Sequence, residues 1–528
     1  MSRLDGPGAA GSSGTRSEVG TPGEPGTPGQ VDVVVIGAGP AGEVVAGRCA
    51  DAGLAVAVVE RERVGGECSF WGCIPSKTLI RPGELLAAAR VTPGAAAAVT
   101  GGADAAGAFA RRDEMVGDYS DEGQVPWLRD KGIQLVRGVG RLVGERRVAV
   151  RGPGGAERTL VAARAVVLAT GTRATLPPIP GLAEAEAWDN RAATGARAVP
   201  RRLAVLGGGA VGAELAQAFR RLGSEEVTVV EGGPRLLARE EPFAGDEVRA
   251  AFEAEGITVL TGRRAVSVRR EGAPHGGGAP GSGSMPWAEP GSRPAQAAGG
   301  PSRGPVVLGL DDAGSPDRIV ADELLVAVGR TAASADLGLS AVGLPDRGFV
   351  EVDTRMRVTG VAGDWLYAVG DLNGRALLTH VAKYQARVAA DVISGRADPA
   401  GRPATDRVDP GAVPRVTFTD PQVSAVGRTE RAAREAGLDV RAVAVPTASV
   451  AGSSVRGTDA VGTSQIVVDV ARRVLVGATF VGHDTQEMVH AAAIAITGAV
   501  PLEDLWHAVP SFPTVSEVWL RLLEAYGL

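Results

Sequence analysis

Cys68 and Cys73 are separated by four residues, preceded by Gly65-Gly66 and followed by Ile74-Pro75-Ser76-Lys77. Two thiols at such spacing can close into a disulfide and reopen, storing an electron pair. Exchange of that kind needs a thiolate, and nearby positive charge lowers a thiol pKa. Two Gly-rich turns indicate where the electrons come from: Gly37-Ala38-Gly39-Pro40-Ala41-Gly42 upstream and Gly207-Gly208-Gly209-Ala210-Val211-Gly212 downstream. The combination predicts electrons passing from one nucleotide to another and on to a disulfide. The competing reading of the pair is structural, or two inert buried thiols. Cys49 falls in the helix after the first turn and reads as small core packing.

The elements around each turn decide whether it binds a nucleotide. A β-branched run over 31–36 leads into Gly37, an Ala-rich helical stretch over about 41–52 follows, and a second strand over 55–59 ends on Glu60. Strand, G-x-G-x-x-G, helix, strand and acid is the dinucleotide pattern. Gly37, Gly39 and Gly42 let the backbone approach a pyrophosphate at a helix N-terminus, and Glu60 would hold a ribose hydroxyl. The pattern repeats: 202–206 runs into Gly207, a helix begins near Val211, and 227–231 ends on Glu231, 19 positions after Gly212. Gly207, Gly209 and Gly212 would form the second cradle. Glu231 on the ribose diol repels a 2′-phosphate and favours NAD(H), although Arg235 and Arg239 lie near enough to accommodate the phosphate of NADP(H). The alternative for each turn is a Gly-rich loop with no ligand.

The bulk sequence limits the rest. Its 528 residues suggest three or four domains, and 44% hydrophobic with 22% charged residues is ordinary for a soluble globular protein. A net charge of −6 gives no reason to expect nucleic acid or an anionic membrane as a partner. No apolar run is long enough to span a bilayer, and the three cysteines fit a reducing compartment, so a cytoplasmic protein is expected. Residues 1–29 lack the pattern of a signal peptide and read as a disordered tail. The stretch 82–141 reads as Ala-rich and helical, followed by a hairpin over 148–150 and 160–161 and a strand over 165–168 ending at Ala169-Thr170-Gly171. Residues 273–305, rich in Gly, Ser and Pro, read as a flexible insertion. A strand and turn reach Val328-Gly329-Arg330, another strand delivers Gly370-Asp371, and a helix over 378–390 carries His380. After a polar connection at 396–414 the last ~115 residues alternate strands and helices, an α+β pattern.

With these residues assembled, the chain resembles the class I flavoprotein disulfide reductases, whose members include dihydrolipoamide dehydrogenase, glutathione reductase and mercuric reductase. The resemblance covers about 31–528 apart from the insertion. It rests most on Cys68-x4-Cys73-Ile74-Pro75-Ser76-Lys77, supported by Ala169-Thr170-Gly171, Val328-Gly329-Arg330, Ala368-x-Gly370-Asp371, Phe418-Thr419-Asp420-Pro421 and Pro513-Thr514-Val515-Ser516-Glu517. It implies an α/β fold with two Rossmann-like domains, for FAD and for NAD(P), and a C-terminal α+β dimerisation domain. The FAD domain would span 30–185 and 333–405, interrupted by the NAD(P) domain at 186–332, with dimerisation through 406–528. It implies FAD at the first site, with Thr170, Gly171, Gly329 and Gly370 in its motifs and Asp371 on the ribityl chain. NAD(P)H would occupy the second site, and the assembly would be a homodimer. Cys73 would form the charge-transfer thiolate and Cys68 would exchange with a disulfide or dithiol substrate. Lys77 and Glu214 would pair beside the flavin, and no metal is implied.

The chain departs from the family at one chemical position. The residue before Pro513 is usually a histidine, oriented by the glutamate at 517, that reaches across the dimer as acid–base. Here it is Phe512, and none of the five histidines (His275, His380, His483, His490, His507) occupies the site. Glu517 alone, or His507 folded back, would have to serve. Phe70 and Trp71 are larger than usual and either reshape the pocket or pack beneath the flavin. The C-terminus lacks the second cysteine pair of mercuric reductase. Two functions stay open: a dihydrolipoamide dehydrogenase-like enzyme, and an NAD(P)H-dependent flavin reductase acting on quinones. A silent nucleotide-binding subunit is a third.

Overall fold

The computed structural model describes residues 30–271, 304–312, 314–408, 412–458 and 460–528; the expected tail at 1–29 and positions 273–303 of the insertion lie outside them. The strand Gln30–Ile36 is the centre of the first sheet. It pairs in parallel with Val56–Glu60, which pairs in parallel with Gln134–Arg137. On its other side it pairs with the long strand Glu157–Leu168. A central parallel strand is covered on both faces, which explains a run with no polar alternation. Val33 and Val35 pack towards the helices Pro40–Asp51 and Thr379–Ser394, while Val34 and Ile36 pack among Leu142, Val148 and Leu160 on the opposite face.

Two expectations are corrected here. The segment expected to be helical to 141 ends in two strands, Gln134–Arg137 and Val139–Gly144, because their alternating burial fits a sheet edge. The separate hairpin strand at 160–161 and buried strand at 165–168 are one element: Glu157–Leu168 pairs antiparallel with Arg147–Arg151 through its first half and parallel with Gln30–Ile36 through its second. The short strand Leu366–Ala368 joins the same sheet beside Val166–Leu168, so the chain returns to the first sheet after the second nucleotide unit.

That second unit is a parallel sheet in the order Ile257–Thr261, Glu226–Glu231, Arg202–Leu206, Glu323–Val326. An antiparallel meander of Ala265–Arg270, Val306–Leu310 and Arg318–Ala321 covers one face. The strands Ala265–Arg270 and Val306–Leu310, which flank the insertion in sequence, pair with Arg270 opposite Val306. The two crossings between units run side by side as the antiparallel pair Thr172–Ala174 and Arg330–Ala332. The last unit is a five-stranded antiparallel sheet, Pro414–Thr417, Gln422–Gly427, Val474–Gly482, Thr463–Asp469, Val440–Pro446, backed by the helices Thr485–Gly498 and Val518–Tyr526. The α/β fold with a C-terminal α+β unit is the one the sequence implied.

Candidate active site

Both fingerprints are built alike. Gly37 has φ +103° and Gly207 φ +108°, and a Cβ on either would stand 2.5 Å from a neighbouring strand's carbonyl oxygen, that of Ala169 or of Ala327. Only glycine holds that backbone without strain. Gly42 and Gly212 lie against the carbonyls of Gly37 and Gly207, closer than any Cβ would tolerate. Gly39 and Gly209 differ. They are the N-caps of the helices Pro40–Asp51 and Ala210–Leu222, and a Cβ would meet only the Gly66 Cα at 3.9 Å in the first and nothing within 4 Å in the second. Space is therefore reserved at two helix N-termini, where amide donors face an incoming anion.

The two acids are held in matching fashion. The Glu60 carboxylate accepts from the Ala38 amide at 2.7 Å and the Glu62 amide at 2.6 Å. That of Glu231 accepts from Gly208 and Gly233, both at 2.6 Å. Each carboxylate keeps lone pairs for further donors such as ribose hydroxyls. Burial pushes the Glu60 carboxyl up. Arg235 folds back onto the carbonyls of Ala238 and Glu240.

A cavity of about 410 Å³ extends from the first fingerprint to the cysteines. Of the residues singled out in the sequence, Gly37, Gly39, Glu60, Cys68, Cys73, Lys77, Thr170, Gly171, Glu214, Gly370 and Asp371 line it. Gly42 packs behind it. Gly207, Gly209, Gly212 and Glu231 form the separate second cradle. Gly329, at φ +135°, turns the chain into the second crossing, and Glu517 stands in the last unit. Asp371 accepts from the Thr172 hydroxyl at 2.8 Å, and burial raises its pKa.

Cys73 opens the helix Cys73–Val91, after the N-cap Gly72. Its Sγ lies 3.3 Å from the Thr379 hydroxyl, and Thr379 is itself the first residue of the helix Thr379–Ser394. Hydrogen bonding from Cys68, opposed by burial and aided by Thr379 and Lys77, lowers the Cys73 pKa from 9.0 to about 6. The same contact, with burial, pushes the Cys68 thiol up. The pair is thus polarised towards a Cys73 thiolate and a Cys68 thiol. One turn on, Lys77 Nζ pairs with Glu214 at 2.7 Å and lies 4.8 Å from the centre of the Phe418 ring, whose amide donates to Glu214 at 2.9 Å. Three units meet at that lysine.

Several site residues escaped sequence reading. Glu67, directly before Cys68, accepts from Asn190 at 2.8 Å and pairs with Arg191 at 2.6 Å and Arg330 at 3.4 Å. Burial opposes its ionisation, but Arg191 and Arg330 hold its carboxyl below the usual range. Arg191 also pairs with Glu62 at 2.9 Å, and the Trp71 carbonyl accepts from Asn190 and Thr194, both at 3.1 Å. The short helix Gly66–Phe70, which carries Cys68, and its C-cap Trp71 are therefore pinned to the helix Asn190–Thr194. Such partners lie more than a hundred residues apart, and no local spacing signals them. Phe70 packs in the core with Val116 and Tyr119, whereas Trp71 both stacks on Tyr119 at 4.7 Å and lines the cavity beside the cysteines. Cys49 is buried, its thiol pushed up to about 12 by burial. His380 is exposed and bonds the Pro414 carbonyl at 2.8 Å. His507 is exposed at the C-cap of the short helix Leu502–Trp506, and Phe512 is 76% exposed. One Glu517 carboxylate oxygen is buried without a hydrogen-bond partner.

Comparison with known proteins agrees with this geometry. Residues 31–386 match the family model described as pyridine nucleotide-disulphide oxidoreductase, and 413–522 match its dimerisation domain. A dihydrolipoyl dehydrogenase of Thermus scotoductus is 32% identical over 94% of this chain and 97% of its own. A mercuric reductase of Staphylococcus aureus is 28% identical over 92% of this chain and 80% of its own. In fold, the chain is similar to the HOCl-induced flavoprotein disulfide reductase RclA of Escherichia coli, with a TM-score of 0.75 at 24% identity, over 93% of this chain and 99% of that one. Two glycine cradles with carboxylate-held loops, and a polarised dithiol beside the first, suit FAD and a nicotinamide nucleotide, and the chain belongs to the FAD-dependent pyridine nucleotide-disulphide oxidoreductases.

Proposed function

We propose that the chain is an NAD(H)-dependent disulfide oxidoreductase of the dihydrolipoamide dehydrogenase type, in which Cys68 exchanges with the substrate and Cys73 is the resting thiolate. The observation that carries it is the Cys73 sulfur, held at a helix N-terminus between Thr379 and Cys68 and facing the cavity that Glu60 and Asp371 also line. Bound FAD supplies a two-electron carrier between the nicotinamide and the dithiol. Gly37, Gly39, Gly42, Glu60, Thr170, Gly171, Gly370 and Asp371 hold it, and Gly207, Gly209, Gly212 and Glu231 hold the nicotinamide nucleotide. Gly329 sets the crossing between the two. The Glu231 carboxylate disfavours a 2′-phosphate, and Arg235 folds back onto backbone carbonyls, leaving the exposed Arg239 as the nearby cation that could still accept NADP(H). Lys77, neutralised by Glu214, keeps positive charge near the thiolate without a net charge in the wall.

The functional unit is a homodimer, working in a reducing compartment, with 30–185 and 333–405 as the FAD domain, 186–332 as the NAD domain and 406–528 as the dimerisation domain. Match to the dimerisation model over 413–522 and the exposed apolar residues Val509, Phe512, Ile494 and Trp506 support the pairing. Among the described residues no helix is long and apolar enough to cross a membrane. Phe512 cannot move a proton, so the acid–base step of the usual histidine is carried elsewhere. Phe512 also favours a second reading, reduction of quinones without proton transfer from the protein. NAD reduction driven by dihydrolipoamide across pH 6–9 tests the proposal: turnover is expected, and its absence alongside brisk NADH-dependent quinone reduction selects the second reading.

A further inference from the structure

Cys68 has to meet two partners at defined positions, a substrate sulfur and the Cys73 sulfur, and a misplacement of about 1 Å at such a centre costs about a hundredfold in rate. Its own element is poorly equipped to hold it. The helix Gly66–Phe70 has five residues, far short of the length at which a helix is stable by itself. The chain enters it through Gly65 at φ +108° and Gly66 at φ +59°, two residues with wide backbone freedom. Its C-terminal end is anchored by Phe70 in the core and by Trp71 against Tyr119. At the other end the anchor is Glu67. Its Oε2 accepts from Arg191 Nε at 2.7 Å and pairs with Arg191 Nη2 at 2.6 Å. Its Oε1 accepts from Asn190 at 2.8 Å and from Arg330 at 3.4 Å. Both carboxylate oxygens are thus held, largely by charge-assisted bonds, the strong class of polar contact. Each arginine is fixed in turn, Arg191 by Glu62 at 2.9 Å and Arg330 by the Thr172 hydroxyl at 2.6 Å.

We propose that Glu67 is a positioning residue for Cys68: clamped by Asn190, Arg191 and Arg330 of the second nucleotide unit, it fixes the N-terminal end of the short helix and so keeps the Cys68 sulfur in place whether the cysteine pair is open or closed. The bond between the sulfurs forms and breaks in each cycle, whereas none of the clamp's bonds involves a sulfur. The clamp is therefore a constant frame within which the pair opens and recloses. Glu62 and Glu67 face Arg191 and Arg330, two charges of each sign, so the frame holds Cys68 without setting a net charge beside the thiolate. Arg330 also stands 4.0 Å from the Asp371 carboxylate, which ties the same frame to the wall of the cavity beyond the cysteines.

The inference rests on the reading of Cys68 and Cys73 as the exchanging pair. Its test compares the parent, Glu67→Gln, Arg191→Gln and the double variant as full-length, FAD-loaded proteins. Each is equilibrated anaerobically with mixtures of reduced and oxidised glutathione, and its free thiols are alkylated and counted by mass. In that equilibrium the dithiol and one oxidised glutathione give the Cys68–Cys73 disulfide and two reduced glutathiones, so its constant reports how well Cys68 is held for Cys73. Both single variants are expected to lower the constant by about tenfold, a shift of about 30 mV towards easier reduction. The double variant falls no further, because the two residues act as one clamp. In each variant kcat for lipoamide reduction falls by about tenfold while KM for NADH stays as in the parent. Glu67→Gln matching the parent overturns the proposal. So do single variants that move the constant in opposite directions, because removing an anion and removing a cation would then be acting through charge and not through position. Loss of flavin from both single variants overturns it too, since the cluster would then be holding the fold. A parent that reduces no disulfide refutes the underlying reading instead, so the two failures are distinguishable.

Discussion

Cys73 is suited to the proposed chemistry because of where its backbone sits. As the first residue of a helix, with Cys68 and Thr379 as hydrogen-bonding neighbours and Lys77 one turn on, its sulfur is favoured as the anion despite burial. Its pKa is depressed from 9.0 to about 6, so the thiolate is present above that value and lost as the pH falls through it. Disulfide reduction should therefore fall along an acid limb near pH 6, and alkylation of the reduced protein should label Cys73 before Cys68. Replacing Cys68 or Cys73 by serine should cut lipoamide reduction by about a thousandfold or more, because the two sulfurs act as one unit. Phe512→His should raise dihydrolipoamide turnover by about tenfold or more, read by initial rates at saturating NAD, if the proposed acid–base position is the one that Phe512 occupies. No gain would mean that this segment does not reach the thiols. The cysteine spacing and Lys77 were legible in the sequence because they lie within ten residues; Thr379 was not, because 306 residues separate it from Cys73.

The helices and strands owe their legibility to different signals. Each fingerprint strand is a β-branched run ended by a glycine that must take a positive φ, and such elements were found within about a residue of their ends. The strand Gln134–Arg137 was missed because an edge strand of four residues carries little periodicity, and Pro82 did not end the helix Cys73–Val91. The paired cradles also make a separable prediction. Gly37→Ala should yield protein largely lacking flavin, since its Cβ would meet the Ala169 carbonyl. Gly207→Ala should keep flavin and raise KM for NADH by roughly tenfold or more through the matching encounter with Ala327. Flavin absorbance and steady-state kinetics check the pair. Loss of flavin in both would show that the units do not bind independently.

At the scale of the molecule, three units converge on the Lys77–Glu214–Phe418 contact, while the two crossings between nucleotide units run together as one antiparallel ribbon. Arg191 and Arg330, from the start and end of the second nucleotide unit, both reach Glu67 beside Cys68, so the orientation of that unit is tied to the dithiol loop. None of this was visible from spacing alone. The exposed Val509 and Phe512 predict a dimer by light scattering, and Val509→Asp should shift it towards monomer with loss of disulfide reduction. The most direct test of the account is an anaerobic titration of the FAD-loaded, oxidised protein with NADH. If electrons pass through the flavin to the cysteines, the parent accepts ~2 equivalents per chain, and Cys73→Ser accepts ~1. A parent that accepts only ~1 would contradict it, because the Cys68–Cys73 pair would then lie outside the electron path.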